Sequence, residues 1–196
     1  MAVTMARALR LGAALALLLA GPGPARALIP DLSPADVEQA LETGRRAMVQ
    51  EEFGDEWRLP LPDGGEIVVT TPFSRLAYAA RQAAFKGEAL TDKQRQEAID
   101  RGKGKIQLVV ATFGRTLDFA RWYQPLLRVD GREVKAAFTQ NERTARRLED
   151  GRYLAQNVYV FPLEGIPGRG TVTLVVRHAV EQTEVLRAPL DLSKMR

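Results

Sequence analysis

His178 is the one imidazole in a chain of 196 residues that holds no cysteine. A histidine base needs a nucleophile within reach and an acid to orient it. The three serines, Ser33, Ser74 and Ser193, include none in a Gly-x-Ser-x-Gly elbow. Ser33 and Ser74 fall at or near expected helix starts, where a hydroxyl has a structural use. His178 follows a strong strand and reads as an exposed turn histidine. Without cysteine there is no disulfide, thiolate zinc site, iron–sulfur cluster or cysteine nucleophile. One histidine cannot seed a zinc site. The acidic cluster Glu51, Glu52, Asp55 and Glu56 lacks the spacing of an EF-hand loop and reads as a solvated helix end. The sequence therefore nominates no catalytic residue, no metal and no cofactor.

A pair of carboxylates can hydrolyse a glycosidic bond with no other group. Among 24 Asp and Glu residues no local pattern selects a pair, so a carboxylate-based hydrolase stands only as the enzyme alternative. Gly102-Lys103-Gly104-Lys105 has the order helix, glycine, strand, the reverse of a phosphate loop. The glycine-rich stretch 165–170 reads as a connection between strands that could serve as a recognition tip.

Two clusters carry binding chemistry. Phe119, Arg121, Trp122 and Tyr123 concentrate rings where a strand begins. Trp122 either plugs the core between sheets or, with Tyr123, anchors a protein or sugar partner. Arg143, Arg146, Arg147 and Arg152, with Arg128, Arg132 and Lys135 near in sequence, could hold carboxylate or phosphate groups in bidentate fashion. The alternative for these arginines is a solvated strand face, or pairing with Glu142, Glu149 and Asp150.

The elements that must position these residues change character near residue 104. Ser33-Pro34-Ala35-Asp36 is a helix start, with a capping serine, proline in the first turn and an acid behind it. Val37, Ala40, Leu41, Ala47 and Met48 extend an amphipathic stripe to about residue 50. A loop with Pro60, Pro62 and Gly64-Gly65 precedes a short strand over 66–70. Thr71-Pro72 opens a second helix that Gly87 stops, and Thr91 with Gln94 caps a third, weaker one. After Lys105 the pattern alternates. Strands are expected over 106–113, 124–129, 132–138, 143–148, 152–161, 171–177 and 183–190. Asp130-Gly131 and Asp150-Gly151 are hairpin signals, and Pro189 marks an edge.

Residues 1–27 read as a secretory signal peptide: Arg7 and Arg10, an apolar run of ten residues over 11–20, then Ala25-Arg26-Ala27. Ten helical residues cover about 15 Å, half of the roughly 30 Å of hydrocarbon, so no transmembrane anchor is expected after cleavage. The whole chain carries a formal charge of +4. Without residues 1–27 it has 25 basic against 24 acidic side chains, which disfavours nucleic acid. An asymmetry persists: residues 28–58 hold 3 basic and 8 acidic side chains, residues 105–152 hold 10 and 6.

The run Thr71-Pro72-Phe73-Ser74-Arg75-Leu76-Ala77 resembles a segment of uncharacterised exported bacterial proteins. That resemblance covers a small part of the chain and implies no activity. The strands beyond residue 105 resemble immunoglobulin-like sandwiches in pattern. The expected class is α+β, with a mainly helical region over 28–104 and an immunoglobulin-like β-sandwich over 105–196, a small barrel being the alternative. The function expected is a non-catalytic binding module, periplasmic or secreted, for an envelope protein or glycan. A periplasmic structural or chaperone-like protein offering a sheet edge is the further alternative.

Overall fold

The computed structural model describes residues 28–196, and the expected signal peptide over 1–27 lies outside them. Helix α1 spans Pro34–Arg46, α2 Pro72–Phe85 and α3 Asp92–Gly102. Each start follows from its cap: Ser33, Thr71 and Thr91 each accept from the backbone N–H three residues on, and the residue there reaches back. This reciprocal box satisfies two donors that a helix start otherwise leaves unpaired.

Among the described residues ten strands pair antiparallel. β1 (Arg58–Pro60), β2 (Glu66–Thr70), β3 (Lys105–Gly114), β8 (Tyr153–Pro162) and β6 (Phe138–Gln140) run side by side, and β7 (Arg146–Arg147) also pairs with β8. The second sheet has the order β10 (Thr183–Asp191), β9 (Thr171–His178), β4 (Tyr123–Val129), β5 (Arg132–Lys135). The mixed α+β class expected from the changing period is what the chain adopts.

Alternation places the core. Along the β3–β8 ladder the buried residues Ile106 and Phe161, Leu108 and Tyr159, and Val110 and Asn157 stand opposite one another. On the second sheet Leu127 faces Leu174, which also faces Ala188. The apolar residues among these join Ala40 and Leu41 of α1, and Phe73, Leu76, Ala77 and Ala80 of α2, in one hydrophobic cluster. The β2–β3 ladder crosses the change of period at residue 104. Helical and strand-rich portions share both a sheet and a core.

Three expectations are corrected. Residues 132–138 are not one strand: β5 ends at Lys135, and the Ala137 N–H donates to Val160 O at 2.7 Å as the chain steps across to the other sheet. Residues 143–148 pair only at Arg146 and Arg147, because the Ala145 N–H donates to Leu117 O (2.7 Å), off the ladder. The proline-bearing loop contains β1, whose partner is β2 alone. An edge tolerates a residue without an N–H. The Asp130-Gly131 signal holds: both residues have positive φ (48° and 79°), as a two-residue hairpin turn requires.

Candidate functional site

The two clusters singled out by residue type lie on segments that hydrogen-bond to each other. After β3, residues 115–122 coil through successive turns, in which the Arg121 N–H donates to Asp118 O and the Tyr123 N–H to Ala120 O. Gly114 makes the coil fit. A Cβ there would lie 2.1 Å from Cγ of Phe119, so only glycine lets that ring fold back over the end of β3.

With Phe119 turned inward, its neighbours differ in exposure. Tyr123 is half-buried, stacked edge-on between Phe119 (6.0 Å between centroids) and His178 (6.1 Å). Burial, aided by the charges of Glu181 and Asp63, pushes its hydroxyl up to about 12. Trp122 points out and is 49% exposed, with the Arg121 guanidinium 5.1 Å from its ring centroid. Trp122 therefore does not plug the core. That role falls to Trp57, which is 0% exposed and donates from Nε1 to Arg196 O at 3.0 Å.

The basic segment is seated directly on this coil. Asn141 Nδ2 donates to Tyr123 O (2.7 Å) and Arg121 O (3.3 Å). The Glu142 N–H donates to Oδ1 of buried Asn157 at 3.0 Å, and Ala145 packs with Ala120 and Ala155 in a small cluster of its own. The backbone is pinned at three points while the side chains of Arg143, Arg146 and Arg147 stay exposed. Among the described residues none of these three has a carboxylate partner within 4.0 Å, although Glu142 and Glu149 are near in sequence.

Arg152 is different. It pairs with Asp150 (2.7 Å), donates to Asp63 O (3.3 Å) and lies over the Phe113 ring at 4.2 Å. Its backbone N–H, with the side chain, holds the Asp150 carboxyl below its usual value. The structure thus seats the segment that carries Arg143, Arg146 and Arg147 on the coil that carries Trp122, turns Tyr123 inward and commits Arg152 to its own loop. Leu117 and Val180 add exposed apolar surface, Val180 because the Ala179 N–H donates to Trp122 O. Sequence reasoning missed both, since their exposure comes from turns that carry no periodic signal.

Other chemistry is sparsely supplied. Ser33 and Ser74 are spent on helix caps, and Ser193 donates to Asp191. His178 Nδ1 accepts from the Glu181 N–H at 3.2 Å and closes the β9–β10 turn. Asp36, Glu42, Asp150, Glu184 and Asp191 are all shifted down by hydrogen-bond donors, opposite to what a general acid needs. Among the described residues no group of three His, Asp or Glu side chains could hold a metal ion.

No protein-family model and no curated protein matches the chain. Solved structures similar to this chain include the following two. One is an IgNAR antibody domain C1 (TM-score 0.31, 12% identity, covering 53% of this chain and 84% of that one). The other is a protein of unknown function from Burkholderia pseudomallei K96243 (TM-score 0.42, 9% identity, covering 84% of this chain and 92% of that one). Likenesses this distant carry no argument about function.

Proposed function

We propose that this chain is an exported, non-catalytic binding module that holds an acidic partner protein, in the periplasm or outside the cell, through the face around Trp122, Arg143, Arg146 and Arg147. The observation that carries this reading is the seating of three unpaired arginines on the coil that presents Trp122, through the Ala145–Leu117 and Asn141–Tyr123 hydrogen bonds. Arginine forks recognise carboxylates in bidentate fashion, and Trp and Arg dominate interface energetics. Charge complementarity selects an acidic protein over a neutral glycan. We read the scaffold as an immunoglobulin-like sandwich. Support comes from two antiparallel sheets that bury residues in one cluster, and from the step of the chain from β5 to β6 between them.

The other readings have less behind them. The downward-shifted carboxylates give no support to a hydrolase. For the sheet-edge reading, β10 has only β9 as a partner. The Leu192 N–H donates to Gly170 O, so Arg187, Pro189 and Asp191 turn their backbone outward. Pro189 has no N–H to offer there. An added strand would miss its central donor.

The test is photocrosslinking in cells from positions 143 and 147, with a control at Lys93 on α3, alongside fractionation of the processed protein. The expected result is an extracytoplasmic adduct whose crosslinked peptide is rich in Asp and Glu and which Arg146→Glu abolishes. Equal capture from Lys93, capture of glycan alone, or a cytoplasmic protein would overturn the reading.

A further inference from the structure

The cleft between α2 and α3 shares no residue with the basic face, and it presents a cation without a counter-charge. Arg75 sits on the first turn but one of α2, with its guanidinium half-buried. Its Nη2 donates to the neutral side-chain oxygen of Gln107 at 3.1 Å. Its Nε is buried and has no acceptor. Among the described residues no carboxylate pairs with it. Arg101, on the last turn of α3, is close enough to repel it, and burial with this repulsion lowers the Arg75 pKa. A half-buried charge facing a like charge is destabilising unless an anion joins it.

The space for that anion is present. A cleft of about 590 Å³ opens beside Arg75, within the range of small-molecule sites. Arg75, Lys86 and Arg101 line it against Glu88 and Glu97, which leaves one unit of positive charge. The only ion pair among these is Arg101–Glu97, at 3.9 Å and exposed. Ala79, Ala83, Leu90 and Ala98 give the cleft an apolar wall. One surplus positive charge matches a monoanion, and two carboxylates at the rim act against a dianionic phosphate. An apolar wall suits a hydrocarbon body.

We propose that the α2–α3 cleft binds a small monocarboxylate with an apolar stem, its carboxylate held by Arg75 and Arg101. Titration calorimetry with hexanoate and benzoate on the purified protein tests this, with hexan-1-ol and inorganic phosphate as controls. Both carboxylates are expected to bind saturably at a single site and to raise the melting temperature. Arg75→Gln should weaken them by about tenfold or more, because a charge-assisted hydrogen bond is lost. Should Arg75→Gln fail to fold, Arg101→Gln decides the matter, since that side chain is 73% exposed and its removal spares the core. Failure of both carboxylates to bind, equal binding of hexan-1-ol, tighter binding of phosphate, or affinities unchanged in Arg75→Gln and Arg101→Gln would each overturn the proposal.

Discussion

The Arg196 guanidinium donates to the Asp36 carboxylate at 2.5 Å, joining residues 160 apart in sequence, with both side chains only 18% exposed. The same guanidinium lies 4.7 Å from the Phe73 ring centroid, and Arg196 O accepts from Trp57 Nε1 and Thr71 Oγ1. Arg196, beyond the last strand, thus ties together α1, the start of α2 and the buried tryptophan.

Asp36 also closes the cap box with Ser33, and the hydrogen bond from the Ser33 hydroxyl, with Arg196, holds its carboxyl below the usual carboxylate value. The unfolded chain therefore binds more protons near its own pKa, and stability rises with pH there. This contribution is complete above about pH 4 and is lost as pH falls through the native pKa. Asp36→Ala is expected to cost roughly 1–3 kcal/mol at pH 7. The difference from wild type should shrink as pH falls below about 4 in urea titrations. A double-mutant cycle with Arg196→Ala should return a coupling energy of about 1 kcal/mol.

Gly44 fixes how close α1 and α2 approach. A Cβ at Gly44 would lie 2.1 Å from Ala77 O and 2.8 Å from Ala80 Cβ, contacts with backbone and a core side chain that cannot rotate away. In the interior of a helix alanine normally outperforms glycine by about 1 kcal/mol. Here Gly44→Ala is expected to destabilise by roughly 1–3 kcal/mol, a reversal of sign that chemical denaturation reads directly.

Tyr123 reports on its own burial. Its hydroxyl is raised from 10.0 to about 12, so the folded state keeps the proton where the unfolded state loses it. The associated stability is complete below pH 10.0 and is lost as pH rises through about 12. Tyr123→Phe should remove one late step from the ultraviolet tyrosinate titration. It should also reduce the alkaline loss of stability by on the order of 1 kcal/mol.

The arginines divide by what they touch. Arg146→Gln and Arg147→Gln should leave stability within about 0.5 kcal/mol of wild type while weakening capture of the acidic partner. Arg152→Gln should cost about 0.5–2 kcal/mol through its Phe113 and Asp150 contacts and leave capture unchanged. Acrylamide quenching adds a check on the same face: Trp122→Phe should remove the quenchable emission and leave that of buried Trp57.

The sequence alone determined whatever depends on neighbours along the chain. Ser33, Thr71 and Thr91 declare helix starts because a cap acts over three residues. Asp130-Gly131 declares a hairpin because two positive φ values need residues that tolerate them. The buried stripes follow from the periods of helix and strand.

The tertiary structure decided what depends on distant partners. Trp57 and Trp122 are the same residue type in similarly mixed surroundings, yet one is sealed under Arg196 and the other is turned outward by the Phe119–Gly114 contact. Residues 143–148 alternate like a strand, but the Ala145 N–H goes to Leu117, so only Arg146 and Arg147 pair with β8, and among the described residues no carboxylate comes within 4.0 Å of the three guanidiniums. Arg75 lies in sequence between Glu66 and Glu88. Its lack of a counter-charge among the described residues exists because α2 and α3 pack so that Arg101 comes to face it. Hydrogen bonding and charge act over a few ångströms of space, and a linear sequence lists neighbours along the chain without saying which distant groups will meet.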